Sequence, residues 1–336
     1  MRPPPPLAVT MGEPAGIGGE ITLLAWLGRE AGLPCFFMID DADRLERLAA
    51  SLGLSVPIRR IGQPADAASA IAGALPVLHR PLPRPPVPGR LDPANAKAVI
   101  AAIEEAVTLV RGGEAAAVVT NPIHKKALYG AGFAFPGHTE FLADLAGGDA
   151  RAVMMLAIPG LRVVPVTVHL PLRQAIASLD AAMIRTAAEA VDAALRRDFA
   201  IARPRLKVAG LNPHAGEDGA LGEEDAAIVA PAAAALRAAG IDAEGPVPPD
   251  ALFTPRAREG YDAAICLYHD QALIPLKALD VDHGVNITLG LPFVRTSPDH
   301  GTALDIAGAG IASPSSLMAA LTTAADLARN RAAASP

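Results

Sequence analysis

The stretch "LDPANAKAVIAAIEEAVTLVRGGEAAAVVT", residues 91–120, reads as one helix followed at once by one strand. Asp92 can accept from the first free amides of a helix, and Pro93 suits the first helical position because the N–H it lacks has no helical partner there. Val99, Ile100, Ile103, Val107 and Val110 share one helical face, and Gly112-Gly113 ends the pattern. Ala115 to Thr120 is then a short apolar run of the kind found in sheets covered on both faces.

The same alternation continues in both directions and predicts an α/β architecture with mostly parallel strands. Strands are expected at Leu7–Thr10 and Cys35–Ile39 around a helix near Glu20–Glu30. Val153–Ile158 and Val163–Val168 read as a hairpin, followed by a helix near Asp180–Arg196 and a strand at Leu206–Leu211. Then come a helix near Glu224–Ala239, strands at Asp262–Leu267, Val285–Leu289 and Phe293–Arg295, and a last helix near Pro314–Arg331 with Ser313 as its cap. "PLPRPPVPG", residues 81–89, has too few ladder donors for a central strand and is expected to be a surface loop.

Composition narrows the function classes. The chain has 336 residues and a net charge of −6, with no Lys/Arg block, which argues against nucleic acid as partner. Its 51% hydrophobic content is largely Ala, with no apolar run of the roughly 18 residues that a membrane span needs. The N-terminus has no apolar signal-peptide core, so a cytoplasmic location is expected. Cys35 and Cys266 are far apart, which excludes a disulfide framework and a thiolate zinc cluster. A metal would have to be held by His and carboxylate.

Three runs share one layout. "VVPVTVHLP" leads to His169, "LKVAGLNPHAGE" to His214 and "AAICLYHDQ" to His269, each imidazole just beyond an apolar strand. Ligands of open α/β sheets collect outside the carboxyl ends of strands, and three imidazoles there suit a divalent ion with open positions. Asp270 and Asp250 are candidate neighbouring carboxylates. The plainer alternative is that each His is a polar strand-end residue satisfied by backbone.

In "FPGHTEFLADL", residues 135–145, Thr139 is the expected N-cap of an amphipathic helix beside His138. Lys277, Arg295 and Asn286 are single polar residues that could hold phosphate, carboxylate or hydroxyl, or lie solvated at the surface. "MGEPAGIGGE", residues 11–20, has the position of a phosphate-binding turn without the dinucleotide fingerprint. "DHGTALDIAGAG", residues 299–310, could wrap an adenosine or be a plain turn.

Taken in order, "MGEPAGIGGE", "TNPIHKKAL", "GHTEFLA", "GLNPHAGEDGALGEED", "YHDQALIPLK" and "GVNITLGLPFVRTSPDHGTALDIAG" resemble the 4-hydroxythreonine-4-phosphate dehydrogenase family of pyridoxal 5'-phosphate (vitamin B6) biosynthesis over nearly the whole chain. The resemblance implies two α/β/α domains similar to the isocitrate/isopropylmalate dehydrogenase-like fold, with the active site in the cleft. It implies His169, His214 and His269 as ligands of one divalent ion per subunit, Zn, Mg or Co. It also implies His138, Thr139, Lys277, Asn286 and Arg295 as substrate-binding residues and a homodimer with the site at the subunit interface.

"HGTALDIAG" matches the adenosine loop of the family's relatives, so His300, Gly301, Thr302 and Asp305 are expected to bind NAD, with NADP the alternative. Asp270 and Lys277 are the candidates for accepting the hydroxyl proton. Glu13 and Gly19 depart from the family's more usual Asp and Pro. The expected domains are 1–123 with 284–336, carrying the glycine-rich turn and cofactor loop, and 124–283, carrying metal, substrate and dimerisation residues.

The implied reaction is oxidation of a phosphorylated hydroxy amino acid, followed by decarboxylation of the β-keto acid. Rival readings are a dehydrogenase of threonate or erythronate 4-phosphate, a hydrolase using metal-bound hydroxide on the same histidines, and a non-catalytic ligand-binding protein.

Overall fold

A computed structural model describes residues 4–135, 137–147 and 151–334. The N-terminal Met1-Arg2-Pro3, and Pro136 of the "FPGHTEFLADL" motif, lie outside the described residues. The chain divides into two compact units, one running to Ala152 and resuming over Leu291–Ala332, the other built on Val153–Gly290.

The first unit contains strands β1 (Leu7–Thr10), β2 (Phe36–Asp40), β3 (Ile58–Ile61), β4 (Leu75–His79) and β5 (Val118–Thr120), together with β12 (Arg295–Pro298). Their order is β3-β4-β2-β1-β5-β12, with every pairing parallel. Parallel sheets are covered on both faces, which is why β1, β2 and β5 are buried at every position. The helix Ala96–Arg111 lays Val99, Ile103 and Val107 into a core with Phe37, Ile39 and Val118. Asp92 caps as expected, accepting from the Ala94 amide at 2.9 Å.

The second unit contains β6 (Val153–Ile158), β7 (Leu161–Pro165), β8 (Arg205–Ala209), β9 (Asp242–Val247), β10 (Ala263–Cys266) and β11 (Val285–Leu289). Here β11 and β7 flank β6 antiparallel, and β7, β10, β8 and β9 then run parallel in that order. The expected hairpin is therefore present as β6 and β7. Because β7, β10 and β8 are parallel neighbours, their carboxyl ends lie on one edge of the sheet. That edge carries all three candidate histidines.

The division differs from the expected boundaries at 123/124 and 283/284. Residues 124–152 stay with the first unit because Leu128, Phe133, Phe141 and Leu142 join its core, with Phe133 and Phe141 rings 5.0 Å apart. Val285–Leu289 stays with the second unit because β11 pairs with β6 along its whole length. His138 and Thr139 thus share a unit with Arg295, and Asn286 shares one with the histidines.

Other differences have local causes. The last strand of the first unit runs Arg295–Pro298 rather than Phe293–Arg295, since pairing with β5 begins at Arg295 opposite Val118. β3, β4 and β9 escape a sequence reading because exposed arginines, Pro76 and a Gly-Pro pair break their patterns. The expected helix near Glu224–Ala239 opens as a π-helical turn, Asp225–Val229, before the α-helix Ala230–Ala238. Among the described residues no helix is long and apolar enough to cross a membrane.

Candidate active site

At the carboxyl edge of the second unit, His169 and His269 face one another with ring centroids 6.0 Å apart. They line a cavity of about 210 Å³ with Leu170, Leu172, Tyr268 and Asp270. His269 opens the helix His269–Leu279, and its Nδ1 lies 2.7 Å from Asp270 Oδ1. An ionised carboxylate only accepts, so Nδ1 carries a proton, and in the neutral ring Nε2 is then the lone-pair nitrogen that a metal ligand needs.

His214 sits on the adjacent strand end in unusual backbone. His214, Ala215, Gly216, Glu217 and Asp218 all have positive φ, from 42° to 84°. Left-handed backbone costs roughly 1–2 kcal/mol per non-glycine residue, so its surroundings must hold it. Asp225, 1% exposed, accepts from the Leu211 and Asn212 amides at 2.7 and 2.9 Å, and Glu224 accepts from Asn212 Nδ2 at 2.9 Å. Gly216 is required here: a Cβ would lie 3.0 Å from the Gly222 carbonyl oxygen. His169 is likewise left-handed, with φ 52°.

A line of hydrogen bonds laces the three strand ends together. Thr167 Oγ1 donates to the Leu267 carbonyl at 2.8 Å, joining the end of β7 to that of β10. Gln271 then accepts from the Leu267 amide and donates to the Gly210 carbonyl, both at 2.7 Å, joining β10 to β8. Tyr268-His269-Asp270-Gln271 thus follows a core strand because His269 faces the cavity, Asp270 sets its tautomer and Gln271 ties its strand to the neighbour.

Two facing imidazoles with a carboxylate beside one of them are donors that a divalent ion could use. Imidazoles set by a carboxylate suit Zn or Co better than Mg, which prefers oxygen. Among the described residues, the three histidines do not bring three ligand atoms within 4.8 Å of one another; Asp41, Asp43 and His79 do. Side chains of that second group already have protein partners. Asp41 accepts from the Asp43, Arg44 and Leu82 amides, Asp43 pairs with Arg60, and His79 Nδ1 accepts from the Ala42 amide.

Lys277 lies in the last turn of the His269–Leu279 helix, about 12 Å along the axis from His269 at 1.5 Å per residue. Asn286 lies on β11 and Asp250 in the short helix Pro249–Leu252. The chain does not bring Lys277 to the two facing histidines.

The first unit gathers a different chemistry. Arg295 is 3% exposed, and burial lowers its guanidinium to about 9. Its Nη2 donates to Thr120 Oγ1 at 2.7 Å. His138 begins the helix His138–Ala146, and its Nε2 is buried without a hydrogen-bond partner. Burial lowers the His138 pKa well below its usual value, with the positive charges of Arg295 and Lys125 adding to the effect. Thr10 Oγ1, Asn121 Oδ1 and His124 Nδ1 are further buried atoms without partners. Arg295 and Lys125 make the surroundings of His138 electropositive, and the partnerless buried atoms leave unmet hydrogen-bonding capacity.

Thr139 is not the cap of its helix. Gly137 takes that position in extended conformation, leaving Thr139 in the first turn. His300 Nδ1 lies 3.0 Å from the Gly301 carbonyl and must donate there; its buried Nε2 has no partner and accepts when the ring is neutral. Sequence reasoning passed over Thr10, Asn121, His124, Thr167, Asp225 and Gln271. All but Thr10 lie inside the quoted motifs, in "TNPIHKKAL", "VVPVTVHLP", "GEED" and "AAICLYHDQ", but none was assigned a role.

The low pKa of His138 has a pH consequence. In the unfolded chain it would bind a proton below about pH 6.5, while the folded chain resists until well below that. Its contribution to stability is therefore full above about pH 6.5 and is lost as pH falls from there through the depressed folded pKa. The unfolding temperature should drop over that interval, and His138→Asn should flatten the drop. An unchanged slope in His138→Asn would contradict the assignment.

Fold and site together define an α/β protein with imidazoles on the strand edge of one unit and a buried arginine beside a neutral histidine in the other. Residues 33–324 match the family model described as pyridoxal phosphate biosynthetic protein PdxA, and the chain belongs to that family. A 4-hydroxythreonine-4-phosphate dehydrogenase of Bradyrhizobium diazoefficiens is 53% identical, covering 96% of this chain and 97% of its own length. The crystal structure of 4-hydroxythreonine-4-phosphate dehydrogenase from Klebsiella pneumoniae has a TM-score of 0.87 at 40% identity, covering 96% of this chain and 99% of that one. A terephthalate 1,2-cis-dihydrodiol dehydrogenase from Burkholderia xenovorans is more distant, with TM-score 0.63, 30% identity and coverage of 95% and 97%.

Proposed function

We propose that the chain catalyses NAD-dependent, divalent-metal-dependent oxidation of 4-(phosphooxy)-L-threonine to 2-amino-3-oxo-4-(phosphooxy)butanoate. That product loses CO2 to give 3-amino-2-oxopropyl phosphate, a step of vitamin B6 biosynthesis in the cytoplasm. The observation that carries this reading is the buried guanidinium of Arg295 beside a neutral His138, with exposed Lys125 adding positive charge, in a chain whose relatives are named for a phosphorylated substrate. A phosphate beside Arg295 would restore the charge that burial disfavours.

His169, His214 and His269 would hold the ion, and the loop His300–Asp305 would hold the nucleotide through His300, Gly301, Thr302 and Asp305. The chemistry supplied by these groups when bound is Lewis acidity at the C3 hydroxyl and acceptance of a hydride from C3. Arg295 would bind the phosphate, with a Lys277 supplied by the other copy. His138 stays neutral at pH 7 and offers Nε2 to a substrate hydroxyl, while Thr139 and Asn286 supply further hydrogen bonds. Asp270 holds the His269 tautomer, and Asp270 and Lys277 are the candidates for taking the hydroxyl proton.

A homodimer belongs to the same reading. Leu172, Ile274 and Val281 of the second unit are 55%, 66% and 63% exposed, large apolar side chains that burial against a second copy would cover. Lys277, remote from His269 along its helix, would then act on substrate bound with residues of the other copy.

Between Asp299 and Gly310 there are two carboxylates and no Lys or Arg, which favours a free ribose 2'-hydroxyl. NAD should exceed NADP in kcat/KM by at least about tenfold, roughly 1.4 kcal/mol. Steady-state rates with each cofactor at fixed substrate test this, and an NADP preference would assign the ribose to residues outside the loop.

A further inference from the structure

The loop that follows β12 is held in place from within the glycine-rich turn. Glu20, the last residue of "MGEPAGIGGE", is 0% exposed in the first turn of the helix Gly18–Leu27. Its Oε2 accepts from the Gly308 amide at 3.0 Å and its Oε1 from the Ala312 amide at 3.2 Å. A buried carboxylate is tolerated only when hydrogen-bonded, so releasing the loop would strand it.

The same loop is fixed at two other points. The Ile17 amide donates to the Thr302 carbonyl at 3.1 Å, and a Cβ on Gly16 would lie 2.8 Å from that oxygen. Gly308 has φ +76°, and a Cβ there would lie 2.9 Å from Pro88 of the proline-rich loop. Ala303 is itself left-handed with φ 42°, a conformation that needs outside support.

We propose that Glu20 is a positioning residue for the cofactor, clamping the 300–312 loop in its nucleotide-binding shape before the nucleotide arrives. This rests on the reading of that loop as the adenosine site. A preformed loop binds more tightly because its ordering cost is met during folding. Glu20 touches neither substrate nor cofactor in this account, so its loss should act on cofactor affinity and leave the chemical step alone.

Glu20→Gln retains one acceptor but turns an NH2 group towards the second amide, and Glu20→Asp keeps the charge while shortening its reach. NADH binding to the full chain, followed by fluorescence, should weaken about tenfold in either variant, a change of roughly 1.4 kcal/mol. KM for NAD should rise in parallel, with kcat at saturating NAD and KM for the phosphorylated substrate within about twofold of wild type. Hydrogen exchange at the Gly308 and Ala312 amides should accelerate while core amides of β1 and β5 stay protected.

If either folded variant shows the faster loop exchange but binds NADH as wild type does, the inference fails and the adenosine reading stands. If wild type itself binds no NADH, the adenosine reading fails and takes the inference with it.

Discussion

His269→Ala should lower kcat by more than about a hundredfold, since losing even the partner of a metal-bound histidine costs tenfold to a hundredfold. The fold should survive, because the side chain is 36% exposed at the start of a helix and adds nothing to the apolar core. Metal content should fall from one ion per subunit with it. Asp270→Asn should give the smaller loss, about tenfold to a hundredfold, because it disturbs the tautomer and leaves the ligand. Full activity in His269→Ala, or in metal-stripped wild type, would show that the imidazoles at this edge do not hold a catalytic ion.

Arg295→Met should cost more than about 1.5 kcal/mol in kcat/KM, because a charge-assisted contact to phosphate is removed. Dephosphorylated substrate should be poor with wild type and suffer little further loss with the variant. Stability should respond in the opposite sense. Arg295 is buried and burial alone lowers it to about 9, so an apolar side chain of similar length should maintain or raise the unfolding temperature without ligand. Inorganic phosphate should then stabilise wild type and leave Arg295→Met unchanged. Equal penalties on phosphorylated and dephosphorylated substrates would place the phosphate away from Arg295.

The alternation of helix and strand was legible because buried parallel strands and amphipathic helices leave strong patterns, as at Ala96–Arg111 and β5. Strands with exposed arginines or proline, such as β3 and β4, leave weak ones. The three histidines could be seen as strand-end residues, but their common edge follows from the order β7-β10-β8, which no local pattern encodes. Thr167 and Gln271 bond to backbone atoms 100 and 61 residues away, so their lacing is invisible in either local segment. Glu20 is similar, reaching amides 288 and 292 residues further along. The boundaries were misplaced because phenylalanines at 133 and 141 pack backwards onto the first unit, and apolar residues in sequence do not announce which core they join.

The most direct test is NADH formation by the purified chain, supplied with a divalent ion and NAD, on 4-(phosphooxy)-L-threonine, threonate 4-phosphate and erythronate 4-phosphate. The amino acid phosphate should be oxidised with the highest kcat/KM, its turnover should release CO2, and removing the ion should abolish both. Faster oxidation of either sugar-acid phosphate, or no NADH from the amino acid phosphate with metal and NAD present, would contradict the proposed function.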